Sequence, residues 1–185
     1  MKKIIITGGP HTGKTTLLDA LKAKHPQHCY VPEPATIVIE AEQHRENTEE
    51  GYVGTFPWNN YPAFGLKVIQ QSLDLEKDLD SKSGLVILDR SLIDTVAYAR
   101  MNDCEHLLPD LYKKIEAAQY QKAFFCDFVG SYQSNNVRSE SFEEAQATQQ
   151  ALRIAYQEPN IQVIDMPAVS IDERIQILED TLDAK

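Results

Sequence analysis

The stretch Gly8-Gly9-Pro10-His11-Thr12-Gly13-Lys14-Thr15 constrains this chain more than any other. It follows Lys2-Lys3-Ile4-Ile5-Ile6-Thr7, which reads as a short buried strand, and it precedes Leu17, Leu18 and Leu21 at helical spacing. Strand, glycine-rich turn and helix in that order fit the pattern G-x-x-x-x-G-K-[ST] without a departure. Glycine lets the backbone aim several N–H groups into one concavity, and the helix beginning near Gly13 adds its positive end. A polyphosphate suits such a cradle. Gly8, Gly9, Pro10, His11, Thr12, Gly13, Lys14, Thr15 and Thr16 are therefore the candidate ATP-binding residues. Lys14 supplies a point charge for the β- and γ-phosphates, and Thr15 a hydroxyl for Mg²⁺.

The remaining sequence alternates strands and helices. Cys29-Tyr30-Val31 reads as a second strand ending at Pro32-Glu33-Pro34, and Pro34 suits the first turn of a helix carrying Ile37, Ala41 and His44 on one face. Residues 49–62 form an aperiodic loop with Tyr52, Phe56, Trp58 and Tyr61, the candidate acceptor-side loop. A helix over about 63–82 carries Leu66, Ile69, Leu73 and Leu79. Leu85 to Leu88 is a continuous apolar run, as expected of a parallel strand covered on both faces, and it ends in Asp89-Arg90-Ser91. Ser91 with Asp94 resembles a capping box for the next helix, and Pro109 opens another. Lys122–Cys126 and Ile161–Ile164 read as the last two strands, with capped helices after Ser141 and Ser170. This alternation predicts one domain over 1–185: a three-layer α/β/α sandwich around a five-stranded parallel sheet.

Ligands in such sheets sit beyond the carboxyl ends of the strands. Asp89 ends a strand where a Mg²⁺-linked carboxylate is wanted, although a strand-ending Asp can also simply cap a helix. Glu33, held between two prolines, can accept a proton from an attacking hydroxyl or stand as a solvated turn residue. Arg90 can steady a phosphate or pair with Glu33. Arg138 lies in the polar segment 127–145, a candidate lid, where an arginine can neutralise charge on a transferring phosphoryl group. Trp58 with its neighbouring rings can stack on a planar acceptor or pack on the core, and Gln70 and Gln71 can hydrogen-bond such an acceptor.

Composition narrows the partners. A net charge of -10 with no basic run argues against nucleic-acid backbones. No apolar run is long enough to span a bilayer, and the N-terminus does not read as a signal peptide. The three cysteines are widely spaced, neither a disulfide framework nor a zinc motif, so the cytoplasm is the expected compartment. A homodimer is left open.

The phosphate loop, Glu33-Pro34, Asp89-Arg90-Ser91, Arg138 before a capped helix and the tail from Ile164 to Arg174 resemble the AAA-domain group of small P-loop NTPases, kinase-like proteins related to nicotinamide riboside kinases. The Glu-Pro and Asp-Arg-Ser pieces are also similar to those of deoxynucleoside and thymidylate kinases. The resemblance implies that the strand-2 acid acts as base and that the Asp-Arg pair helps hold metal and phosphates. The expected activity is transfer of the ATP γ-phosphate to a small, nucleoside-like hydroxyl compound. The alternative is a nucleotide-dependent regulatory ATPase with no small acceptor.

Overall fold

The computed structural model describes residues 2–77, 79, 84–129 and 141–183. Arg138 and most of the segment 127–145 lie outside the described residues. Five strands, β1 (Lys2–Thr7), β2 (Cys29–Val31), β3 (Leu85–Asp89), β4 (Lys122–Cys126) and β5 (Gln162–Met166), form one sheet in the order β2-β3-β1-β4-β5. Every pairing is parallel. Parallel neighbours need crossovers, which are supplied by α1 (Lys14–Lys24), α2 (Pro34–Thr48), α3 (Tyr61–Glu76), α4 (Leu92–Met101), α5 (Leu108–Ala118) and α6 (Phe142–Ala155), with α7 (Ile171–Asp183) following the last strand.

The pleat sends alternate residues of β1 to opposite faces. Ile4 and Ile6 pack beneath Leu17 and Leu21 of α1 and Ile175 and Leu178 of α7. Ile5 faces the other way, with Val86 and Leu88, into the core covered by α2 to α6. The result is the expected three-layer sandwich. Helix starts follow the caps read in the sequence: Ser91 with Asp94 and Ser141 with Glu144 form complete capping boxes. Ser170 and Glu173 exchange the same pair of bonds, at 3.0 and 3.3 Å.

Three local expectations change. On α2 the buried stripe is Pro34, Val38 and Glu42, whereas Ala41 and His44 face solvent, because α2 packs on α3 through its other side. On α3 the helix begins at Tyr61, with Asn60 accepting from the Ala63 N–H, and it ends at Glu76. Its buried face runs through Phe64, Val68, Ile69 and Ser72, leaving Leu66 55% exposed. Finally, β5 continues past its apolar run to Met166, which pairs with Cys126 although Asp165 on the way is exposed.

The aromatic-rich loop before α3 is pinned chiefly by Glu42, with Glu46 accepting from the Gly54 N–H at 3.1 Å. Glu42 accepts from Tyr52 OH at 2.6 Å, from the Thr55 N–H at 2.8 Å and from Lys67 Nζ at 2.6 Å. The Arg45 guanidinium lies 4.0 Å above the Tyr52 ring centre.

Candidate functional site

Register assembles the site. Ile6 of β1 stands opposite Asp89 of β3, so the loop after β1 and the turn after β3 emerge side by side. Val31 stands opposite Leu88, which brings Glu33 level with Arg90. On the other flank Thr7 pairs with Phe125, so the chain after Cys126 borders the same loop.

The glycine-rich loop is tightly built. Gly8 has φ +135°, and a Cβ there would lie 2.6 Å from the Cys126 carbonyl oxygen, so no other residue fits. Gly13, at φ +74°, turns the chain into α1. The Gly9 carbonyl accepts from Thr12 Oγ1 and from Lys14 Nζ, each at 2.8 Å. The Gly9 N–H donates to Gln149 Oε1 of α6, whose amide in turn donates to the Cys126 carbonyl at 2.9 Å. Arg174 of α7 is fully buried beneath the loop. It donates to the carbonyls of Thr12 (2.6 Å), Pro167 (2.8 Å) and Asp127 (3.0 Å), tying together the ends of β1, β4 and β5.

Opposite the loop stands a charged row. Arg90 adopts a left-handed backbone, φ +66°, a conformation that costs a non-glycine residue about 1 kcal/mol. It is held there from both ends. Its N–H donates to the Ile6 carbonyl at 3.1 Å, while its side chain sits 2.6 Å from Glu33 Oε1 and 3.0 Å from Asp94 Oδ1. Asp94 is buried and also accepts from Thr7 Oγ1 (2.6 Å), the Ser91 N–H (2.9 Å) and Tyr156 OH (2.6 Å). Glu33 Oε2 accepts from Thr36 Oγ1 at 2.8 Å.

Two groups carry charge against their surroundings. Burial, helped by Arg90, lowers the Lys14 ammonium to about 8, with Glu33 and Asp89 opposing the shift. Burial and then Glu33 raise the Asp89 carboxyl to about 6, with Arg90 and Lys14 opposing. Among the described residues, no side chain or loop amide donates to that carboxylate. An uncompensated carboxylate beside a phosphate-sized cradle fits a divalent cation. The described residues hold no cluster of three or more His, Cys, Asp or Glu, and Mg²⁺ does not need one, since it keeps waters and takes one or two carboxylates with phosphates.

Behind Glu33 and Arg90 lies a cavity of about 180 Å³. Its far walls are Ile39, Tyr61, Phe64 and Val68. The structure thus brings Lys14, Glu33, Asp89 and Arg90 to one edge, with Thr15 and Thr16 exposed at the start of α1. Trp58 does not join them. It is 69% exposed and stacks at 4.8 Å on Phe56, away from the cavity wall. Gln70 bonds Asp74 on the outer face of α3, and neither it nor Gln71 lines the cavity. Sequence reasoning missed the buried supports Asp94, Gln149 and Arg174. Asp94 left a signal three residues after Ser91, which disclosed its cap and not its hold on Arg90, and Arg174 stood only at the end of the tail that carries the resemblance.

A family model described as AAA domain matches residues 3–174. No curated protein matches the chain. Among solved structures the chain is similar to deoxyadenosine kinase from M. mycoides with products dCMP and a flexible dCDP bound (14% identity, TM-score 0.69, 99% of this chain and 100% of that one). It is also similar to thymidylate kinase from Candida albicans (15% identity, TM-score 0.64, 98% and 91%). The NadR protein in complex with NR is a third likeness (20% identity, TM-score 0.66), covering 89% of this chain and 45% of that one. These likenesses show a kinase-like P-loop fold similar to that of nucleoside and nucleotide kinases.

Proposed function

The chain belongs to the AAA-domain family, and from that premise we propose that it transfers the γ-phosphoryl group of ATP to the hydroxyl of a small, nucleoside-sized or smaller acceptor in the cytoplasm. One observation carries the reading. The Glu33–Arg90 pair lines a largely apolar cavity and stands on the same sheet edge as Lys14 and Asp89. A module that only sensed or hydrolysed nucleotide has no use for a cavity with a fixed carboxylate in its lining.

The N–H groups of His11 to Thr16 would cradle the phosphates, and Lys14 would exchange its bond to the Gly9 carbonyl for the β- and γ-oxygens. Thr15 and Asp89 would hold Mg²⁺, which when bound neutralises charge on those phosphates. Arg90 fixes Glu33, with Oε1 on the guanidinium and Oε2 on Thr36. As the acceptor oxygen bonds to the γ-phosphorus and the bond to ADP breaks, the hydroxyl proton passes to Glu33.

ADP release measured with Mg²⁺-ATP, alone and with pools of alcohols and nucleosides, tests this, with Lys14→Ala as the blank. One pool should accelerate release in the native protein and not in the blank. Slow release that no pool accelerates would replace the kinase reading by a nucleotide-gated binding module. Glu33→Gln should lose about 10²- to 10⁴-fold in transfer with nucleotide affinity intact, and equal activity would remove Glu33 from the mechanism.

A further inference from the structure

The cavity behind Glu33 also carries information about what it takes. Volume comes first. At about 180 Å³ the cavity falls below the roughly 300–1,000 Å³ of pockets that enclose drug-sized ligands, which favours a guest smaller than a nucleoside with its base and sugar.

The wall chemistry points the same way. Three aromatic rings, Tyr61, Phe64 and Tyr98, line the cavity, and flat rings favour a flat guest. Apart from Arg90 with its partners Glu33 and Asp94, the described lining includes no amide, imidazole or ammonium side chain to read a base edge. Most of its polar groups are already bonded: Asp94 to its donors, Ser91 to Tyr156, and Ser72 to the Val68 carbonyl. Two are not. The hydroxyls of Tyr61 and Thr95 have no hydrogen-bond partner among the described residues and stay accessible from the cavity, so a guest can bond both. Burial, with Cys104 and Tyr98 nearby, pushes the Tyr61 phenol above its ordinary range, so it stays a neutral hydroxyl that can donate or accept.

We infer that the cavity binds a single-ring aromatic or heteroaromatic alcohol, its hydroxyl at Glu33 and Arg90 and one polar ring substituent shared between Tyr61 and Thr95. The inference deepens the kinase reading and rests on it for the word acceptor, but binding itself does not require transfer.

The test is calorimetric titration of the full chain with 3-hydroxymethylpyridine, pyridoxine, thymidine and 2′-deoxyadenosine, in parallel with ATP. At least one of the single-ring alcohols should bind tenfold or more tightly than either nucleoside. Tyr61→Phe and Thr95→Val, which keep the wall's shape, should each weaken that binding three- to tenfold and leave ATP affinity unchanged. Nucleosides binding as well as the single-ring alcohols, no binding by any probe, or binding indifferent to both substitutions would overturn the inference. Binding of a single-ring alcohol without phosphoryl transfer to it would leave the inference standing and sink the kinase reading.

Discussion

Glu42 and Asp89 are two carboxylates of one small fold, and their surroundings push them in opposite directions. Glu42 is buried but meets Lys67, Tyr52 and the Thr55 N–H, and these bonds outweigh burial and hold it down at about 2. Asp89 meets burial and the neighbouring Glu33 with no donor of its own, and it rises to about 6. Lys14, across from it, is depressed to about 8 for the same primary reason, burial. The Glu42 charge is satisfied inside the fold and stabilises it. The charges of Asp89 and Lys14 are carried at a cost that only an incoming ligand can offset, which is how groups at binding sites tend to differ from groups that build loops.

The sharpest way to break that comparison is Asp89→Asn. If Asp89 serves a cation, phosphoryl transfer should fall by about a hundredfold or more, while the nucleotide-free protein becomes more stable, not less. A gain of about 1 kcal/mol corresponds to roughly 2–4 °C in melting temperature for a chain of this size. A lower melting temperature would mean that Asp89 is a structural carboxylate like Glu42. The converse substitution, Glu42→Gln, should cost about 1–2 kcal/mol at neutral pH, since the charge-assisted bond to the third-exposed Lys67 is lost while Tyr52 and Thr55 keep an acceptor. Thermal unfolding reads the loss. Faster proteolytic cleavage within 49–62 would place it in the loop that Glu42 pins.

Sequence alone disclosed the one of these two regions that repeats a local pattern. The phosphate loop declares itself because strand, turn and helix are contiguous, and Asp89 and Glu33 follow once parallel strands are taken to share an edge. The Glu42 knot was illegible. Glu42 occupies a helix position that reads as solvent-facing, and its partners Tyr52, Thr55 and Lys67 come from a loop and a second helix whose docking decides the buried stripe. Asp94 shows the same limit in one residue: its cap to Ser91 is three positions away and visible, whereas its bonds to Thr7 and Tyr156 span 87 and 62 residues. Gln149 and Arg174 read as ordinary helix-surface residues until α6 and α7 are laid against the loop. Trp58 reads in the sequence either as a ligand platform or as core packing, and in the structure its exposed ring stacks on Phe56.

The smallest effect is also the one that separates the two carboxylates within a single experiment. Glu42 in the folded chain lies below its ordinary value of 4.5, so its contribution to stability is complete above that pH and fades as pH falls toward 2. Asp89 lies above its ordinary value of 3.8, so the folded chain binds a proton that the unfolded chain releases. Its sign is therefore reversed: stability is lost as pH rises from about 4 to about 6. Melting temperature against pH should show both limbs, each worth about 1–2 kcal/mol after solvent screening. Subtracting the Glu42→Gln curve should remove the acid limb alone, and subtracting the Asp89→Asn curve the limb below pH 6 alone. Saturating Mg²⁺-ATP should abolish the second limb and leave the first, because only Asp89 meets the ligand. A nucleotide-insensitive second limb would assign that titration to another group and dissolve the contrast between the two carboxylates.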